Sequence, residues 1–137
     1  MAKLTVAKWK KKVWVVFSKY IRLRDADDNG CCRCVTCGKP FHYKAIHAGH
    51  FIPKRNNAVM FEETNVSCQC VYCNMFMHGQ GAKYYKFMLE KYGQEEIDRL
   101  MDLDKTIRKF SVSELEEMYH EYREKVKRIA KEKGIEL

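Results

Sequence analysis

The stretch CVYCN at residues 70–74 repeats the cysteine spacing of CVTCGK at residues 34–39. In each stretch two residues separate the cysteines, and such a turn brings two thiolates close enough to share one tetrahedral ion. Two such turns complete a closed structural site for one Zn²⁺. Its predicted ligands are Cys34, Cys37, Cys70 and Cys73. Residues 38–69 lie between the pairs, a longer insert than in common zinc ribbons, which predicts folded structure inside it.

The chain has seven cysteines, and Cys31, Cys32 and Cys68 lie outside the two pairs. We interpret these three as small buried residues, with one alternative: Cys32 or Cys68 takes the place of a paired cysteine as a ligand. The N-terminus lacks the apolar core of a signal peptide, and no apolar run is long enough to span a membrane. We therefore expect a cytoplasmic protein, in which paired cysteines more often bind metal than form disulfides.

Histidine and asparagine side chains surround the second cysteine pair. Asn74 follows Cys73 directly and His78 comes four residues later, so both side chains are expected on one face of a helix that begins there. An amide oxygen and an imidazole nitrogen suit a divalent cation that stays partly open to substrate. His50, within HAGHF at residues 47–51, is a candidate general base. Together these residues predict metal-assisted attack on a phosphate.

Residues 3–24 carry apolar side chains at helical spacing among lysines. This pattern predicts a basic amphipathic helix, which we prefer to a strand at VWVVF (residues 13–17) because the apolar stripe continues on both sides. Residues 1–24 contain no acidic residue, whereas the chain as a whole has 26 Lys and Arg against 18 Asp and Glu, a net charge of +8. A basic excess concentrated at one end favours a polyanionic partner such as DNA.

The chain after Gly81 is predicted to be helical. Within residues 111–134, Ser111 or Ser113 is a candidate N-cap and Gly134 a candidate C-terminal stop. The apolar stripe of this last helix consists of Leu115, Met118, Tyr119, Tyr122, Val126 and Ile129. We expect this stripe to pack against the rest of the domain, and the alternative is a homodimer contact.

A length of 137 residues predicts one domain over residues 1–137. Its parts are the basic helix at 3–24, a zinc-stapled core at 31–80 and a helical region at 81–137. Composition is ordinary for a globular protein, with 46% hydrophobic and 32% charged residues.

The order of cysteine pair, histidine, asparagine, cysteine pair and asparagine resembles the HNH, or ββα-metal, nucleases that carry a zinc knot. The resemblance implies that His50 is the general base, that Asn65 ties down the central loop and that Asn74 is a ligand of the catalytic cation. It also implies an α+β, mostly helical fold: a small ββα-metal core with a four-cysteine zinc knot, flanked by the N-terminal basic helix and the C-terminal helices.

A longer series of motifs resembles the phage NinG, or Rap, recombination-protein family. These are FSKYIRLRDA (17–26), CVTCGK (34–39), AGHFIPKR (48–55), NVSCQCVYCN (65–74) and KYG (91–93). The resemblance runs from the first helix to about Leu100. It implies a phage protein of the host cytoplasm that acts on branched DNA such as Holliday junctions, together with phage or host recombination proteins.

One position departs from the HNH pattern. Many HNH enzymes have a ligand directly before the base, whereas this chain has Gly49. We favour His78 as the replacement ligand and keep His47 as an alternative. His42 and His120 are interpreted as non-catalytic. The predicted DNA contacts are Arg22, Arg24, Lys54 and Arg55.

The sequence therefore predicts an HNH-type endodeoxyribonuclease with a structural Zn²⁺ and a catalytic Mg²⁺ or Mn²⁺. The alternative is a zinc-stabilised DNA-binding accessory protein without nuclease activity, and Gly49 is the residue that keeps this alternative open.

Overall fold

The computed structural model of the chain describes residues 3–53 and 56–137. Five α-helices are α1 (Val6–Asp25), α2 (Asn57–Met60), α3 (Gly81–Lys91), α4 (Gln94–Asp104) and α5 (Val112–Lys133). Four short strands are β1 (Cys31–Arg33), β2 (Pro40–His42), β3 (His47–His50) and β4 (Val66–Gln69). Turns of 3₁₀ helix at Tyr43–Ala45 and Glu63–Asn65, and a π-helical turn at Tyr72–Phe76, complete the described elements. The fold is mixed α+β, as the sequence predicts.

The two long helices pack against each other and form one side of the main core. In α1 the apolar face buries Val13, Phe17 and Ile21, so VWVVF is helical and not a strand. Helix α5 begins with a capping box of Ser111 and Glu114 and ends at Gly134, whose φ of 68° suits glycine. Four residues of its predicted stripe lie in this core, with Tyr122 and Val126 buried and Tyr119 and Ile129 partly buried. Leu115 is buried and Met118 is partly buried nearer the start of the helix. Packing within the chain thus accounts for the stripe.

The strands form two separate antiparallel pairs. In one pair Cys32 of β1 lies opposite Phe41 of β2, and the turn between these strands carries the first cysteine pair. In the other pair β3 and β4 run from His47 opposite Gln69 to His50 opposite Val66. All four residues of β4 are buried, because α1 covers this sheet and α3 lies nearby. The π-helical turn follows β4 directly, and this order places the second cysteine pair beside the first.

A second core joins α3 and α4 and supports the end of β3. Its buried residues are Tyr84, Met88, Ile97 and Leu100. The Tyr84 hydroxyl donates a hydrogen bond of 2.7 Å to the Gly49 carbonyl, which ties α3 to β3.

Glu63 connects the region before β4 to α5. Its Oε2 accepts hydrogen bonds from the Tyr122 hydroxyl at 2.9 Å and from Lys125 Nζ at 3.1 Å. Burial by itself raises the pKa of Glu63, but the bonds from Lys125 and Tyr122 outweigh it and lower the pKa below its ordinary value. The ionised carboxylate therefore stabilises the folded chain.

Within the described ranges 3–53 and 56–137, no helix combines the length and the apolar character needed to span a membrane.

Candidate metal centre and adjoining cleft

The four predicted zinc ligands come together in space. The sulfur atoms of Cys34, Cys37, Cys70 and Cys73 all lie within 4.8 Å of one another. Cys37 Sγ and Cys70 Sγ are 3.8 Å apart, close to the roughly 3.8 Å edge of a tetrahedron with Zn–S bonds of about 2.3 Å. Cys34, Cys70 and Cys73 are buried and Cys37 is exposed. The cluster can bind one metal ion such as zinc, and the ligand set predicted from spacing is the set that the fold assembles.

The thiols of the cluster differ in acidity when no ion is bound, and an ion that binds must displace the protons of the weaker acids. Burial raises the pKa of Cys34, but hydrogen bonds from the backbone at Cys70 and from Thr36 outweigh it and lower that pKa to about 6. Burial, together with bonds to the neighbouring thiols, raises the pKa of Cys70 to about 12. Four thiolates therefore do not form together at neutral pH without a compensating charge, and a divalent cation supplies it.

The remaining cysteines lie outside the cluster, so the alternative in which Cys32 or Cys68 replaces a ligand is wrong. Both thiols point at the Arg22 carbonyl, with Sγ–O distances of 3.7 Å for Cys32 and 3.9 Å for Cys68. A hydrogen bond with Cys32 and burial raise the pKa of Cys68 well above its ordinary value, so it remains a thiol. Cys31 is partly buried at the start of β1.

An open cleft of about 680 Å³ adjoins the cysteine cluster. It lies between α1, β3 and the segment after Cys73. The predicted catalytic and cation-binding residues that line it are His47, His50, Asn74 and His78, and Arg22 of the predicted DNA contacts lines it too. Trp14, Ser18, Lys44 and Met75 are further lining residues. The fold thus collects the candidate base and the candidate cation ligands on one surface, although residues 47 and 78 are far apart in sequence.

A hydrogen bond and a ring stack are among the contacts that hold His50. Its Nε2 lies 2.9 Å from the Met60 carbonyl oxygen, and its ring stacks on Trp14 with centroids 4.8 Å apart and planes at 23°. A carbonyl can only accept, so Nε2 carries a proton, and in the neutral ring Nδ1 is then the basic nitrogen. This arrangement fixes both the tautomer and the orientation that a general base requires.

Asn65 closes the loop between β3 and β4. Its Oδ1 accepts from the Ile52 backbone N–H at 2.8 Å, and its Nδ2 donates to the carbonyls of Ile52 at 2.9 Å and Val59 at 3.1 Å. The side chain is fully buried, so these bonds are protected from water. The loop they fix also carries Met60, which holds His50.

Asn74 pairs with His47. Asn74 Nδ2 donates to His47 Nδ1 at 3.1 Å, so Nδ1 presents its lone pair toward the amide. With the amide turned to present Oδ1, this spacing matches the roughly 3.0 Å between adjacent ligands of a cation that has bonds of about 2.1 Å. His47 therefore contacts Asn74 directly.

The expectation that Asn74 and His78 share one helix face is wrong. The π-helical turn ends at Phe76, and His78, Gly79 and Gln80 all have left-handed φ angles, of 52°, 87° and 52°. This turn reverses the chain, so His78 reaches the cleft from outside the helix. Left-handed conformations at His and Gln cost energy and are concentrated at functional sites. Among the described residues, the cysteine cluster is the one group of three or more His, Cys, Asp or Glu side chains close enough to hold an ion.

The structure explains Gly49 by packing. A Cβ at this position would meet the side-chain amide oxygen of Gln69 and lie 2.9 Å from its Cβ. Gln69 is fully buried, and its Nε2 donates to the Gly79 carbonyl at 2.7 Å. A side chain at position 49 would therefore point at Gln69, and the glycine lets Gln69 hold the left-handed turn.

The four predicted DNA contacts have different surroundings. Arg22 lines the cleft, and its Nη1 donates to the Tyr43 carbonyl at 2.8 Å. Arg24 is bound to Asp25 and to the carbonyls of Glu63 and Val66, each at 2.8 Å. These bonds direct the Arg24 guanidinium at β4 and the turn before it, so the side chain has a structural role in the fold. Lys54 and Arg55 lie outside the described residues.

The chain is similar to a family of phage proteins. The family model described as Bacteriophage Lambda NinG protein matches residues 2–132. The chain belongs to the NinG family. The Protein ninG of Escherichia phage lambda is 28% identical over 123 residues, which are 87% of this chain and 56% of that relative. The Protein ninG of Escherichia phage 933W is also 28% identical over 123 residues, with 57% of its length covered, and that of Salmonella phage P22 is 28% identical with 56% covered.

This chain spans little more than half the length of the NinG relatives it matches. No solved structure is significantly similar to it. The matched region contains both cysteine pairs and every residue that lines the cleft.

Sequence reasoning missed three residues that shape this NinG-family cleft. Trp14 reads as one more apolar residue of α1, yet it stacks on His50. Lys44 lines the cleft from the 3₁₀ turn before β3. Gln69 is the last residue of β4 and stands between Cys68 and Cys70 in the sequence. A polar residue in a fully buried strand is the signal that identifies Gln69, whereas no local pattern identifies the other two.

Proposed function

We propose that the chain is a metal-dependent endodeoxyribonuclease of the HNH type, with β3, β4 and the π-helical turn as a ββα-metal core. The observation that carries this proposal is the placement of His50. Its tautomer is set by the Met60 carbonyl, and it lines the same cleft as the Asn74–His47 pair. A general base and candidate cation ligands on one concave surface fit hydrolysis of a phosphodiester.

In the proposed reaction His50 accepts the proton of the attacking water through Nδ1, while the Met60 carbonyl stabilises the resulting imidazolium at Nε2. Asn74 and His47 would hold Mg²⁺ or Mn²⁺, with His78 as a further candidate ligand on the cleft wall. Such a cation stabilises charge on the phosphate and on the leaving oxygen. Asn65 acts through the loop and is a positioning residue.

The cysteine cluster would hold the backbone of this site in position. Cys73 is buried in the cluster and precedes Asn74, so a bound Zn²⁺ would fix the backbone from which the Asn74 side chain projects. Cys70 follows β4, the strand that pairs with the strand of His50. A structural zinc would thus set both halves of the cleft relative to each other.

DNA is the proposed partner, held by its phosphates. The net charge of +8 attracts a polyanion, and Arg22 and Lys44 bring two cations to the cleft. We further propose a role in phage recombination on branched DNA such as Holliday junctions, in the host cytoplasm and beside phage or host recombination proteins. The role in recombination rests on the family resemblance. A homodimer would suit symmetrical cutting of a four-way junction.

A DNA-binding protein without nuclease activity is the second candidate. The observation in its favour is that, among the described residues, no three His, Cys, Asp or Glu side chains outside the cysteine cluster lie close enough together to hold an ion. A cation held by only two protein groups and waters would bind weakly in the absence of DNA.

Cleavage assays on zinc-loaded protein separate the two candidates. Linear, nicked and four-way junction DNA are incubated with and without Mg²⁺ or Mn²⁺. We expect cation-dependent cutting that is lost in His50→Ala but retained in His120→Ala, a matched control because His120 is exposed on α5. If the wild type binds DNA and cuts none of these substrates with either cation, the nuclease proposal fails and the second candidate stands.

A further inference from the structure

Five apolar side chains are exposed on and around the π-helical turn next to the cleft. We call this surface the apolar shelf: Val71, Tyr72, Met75, Phe76 and Met77. Phe76 is 71% exposed, Tyr72 61% and Met75 60%. A contiguous patch of exposed apolar side chains usually marks a binding surface, whereas single exposed apolar residues are normal on any protein.

The backbone that carries the shelf is anchored in the cysteine cluster. Cys73, in the middle of the turn, is fully buried in the metal cluster, and the left-handed residues that begin at His78 end the segment. The rings of Tyr72 and Phe76 stack on each other, with centroids 6.4 Å apart and planes at 28°. A fixed backbone and paired rings present aromatic faces at a low entropic cost on binding.

The shelf is continuous with the cleft. Met75 belongs to the shelf and also lines the cleft, and Asn74 lies beside it in the same turn. A strand that places its phosphate near Asn74 would therefore carry its neighbouring bases across the shelf. The cleft supplies polar and cationic groups for the backbone, and the shelf supplies aromatic faces for the bases.

We propose that the apolar shelf stacks unpaired nucleobases of a DNA strand whose backbone lies in the cleft. Base faces are hidden in a duplex and exposed in a single strand, and stacking on aromatic side chains tolerates any sequence. The chain is strongly basic, and this favours a polyanion as the occupant over an uncharged apolar partner. The proposal rests on the DNA-binding part of the proposed function and is independent of cleavage.

The test measures binding without added Mg²⁺ or Mn²⁺, so that no cleavage interferes. A single-stranded oligonucleotide with 2-aminopurine reports stacking by quenching, and anisotropy gives its affinity and that of a blunt duplex of equal length. We expect Phe76→Ala to weaken single-strand binding about 5- to 150-fold, the range for one stacked base, and to abolish quenching. Duplex affinity should change less than twofold.

Matched variants make the result specific. Phe76→Trp preserves an aromatic face and should retain quenching. Ile107→Ala removes an apolar side chain that is 90% exposed away from the shelf and should change neither reading. Zinc content and circular dichroism show whether Phe76→Ala has folded. If it has not, Tyr72→Ala is tested in its place.

Three outcomes overturn the proposal. Single-strand and duplex affinities that fall equally show general phosphate binding, and unchanged affinities show that the shelf does not contact DNA. A lower oligomeric mass in Phe76→Ala without a change in quenching shows that the shelf joins copies of the chain. Normal quenching in a protein that never cuts DNA refutes the nuclease step and leaves the shelf proposal intact.

Discussion

Substitution of Asn65 by alanine tests whether the loop between β3 and β4 depends on one buried amide. The change removes three hydrogen bonds of 2.8, 2.9 and 3.1 Å, to the backbone of Ile52 and to the Val59 carbonyl. At about 0.5–1.5 kcal/mol each, their loss predicts a decrease of roughly 1.5–4.5 kcal/mol in the free energy of unfolding. A domain of this size has about 7–20 kcal/mol, so the variant should remain folded.

Urea denaturation followed by circular dichroism, at a fixed concentration of free zinc, measures this difference. Asn57→Ala is the matched control, because Asn57 Nδ2 makes one exposed bond of 3.0 Å to the Arg108 carbonyl, and we expect it to cost at most about 0.5 kcal/mol. If the two variants lose the same free energy, the buried amide does not fix the loop.

The same variant separates positioning from binding. The loop that Asn65 closes carries the Met60 carbonyl that orients His50. We therefore expect Asn65→Ala to lower the rate of DNA cleavage at least tenfold while DNA affinity changes less than threefold. Equal losses of rate and affinity would indicate a general disturbance of the cleft.

Three further outcomes are expected. Cys73→Ser should lose the roughly one zinc per chain that mass spectrometry of the metal detects, whereas Cys68→Ser should keep the zinc. Gly49→Ala should cost about 1–3 kcal/mol through overpacking, and less in a Gln69→Ala background, which removes the contacts with the side-chain amide and leaves the contact with Cβ at 2.9 Å. Equal costs in both backgrounds would contradict the packing explanation. Because the pKa of Glu63 is lowered in the folded state, its stabilisation is present at neutral pH and is lost as the pH falls through that folded value. The unfolding free energy of Glu63→Gln should therefore fall less steeply with acid than that of the wild type.

Features encoded by local pattern were predictable from the sequence. The ligand set follows from two C-x-x-C turns, and the limits of α5 follow from Ser111 and Gly134, because spacing and capping act within a few residues. Asn65 was placed by family resemblance, and the structure adds the bonds that explain why an amide is needed, since one group must both accept and donate.

Features that depend on distant contacts were not predictable. Arg24 looked like a free cation in a basic helix, but β4 and the preceding turn supply carbonyls for its guanidinium. His78 was expected on a helix because its four-residue spacing from Asn74 fits one, and the chain leaves the helix two residues earlier. In both cases a tertiary contact or a turn overrides the local periodicity.

The cleft combines three separately anchored parts, and this explains why a zinc cluster, a buried amide and a basic helix occur together in so small a chain. Zinc on the cluster would fix Asn74, Asn65 fixes the loop that holds His50, and α1 supplies Trp14, which stacks on a face of the His50 ring. Loss of zinc should therefore misplace Asn74 first, while His50 keeps its Met60 and Trp14 contacts for as long as α1 stays packed. Protein treated with a zinc chelator that is then removed should accordingly fail to cleave DNA when Mg²⁺ or Mn²⁺ is added, while its tryptophan fluorescence is unchanged. Simultaneous loss of both signals would show that the three parts unfold as one unit.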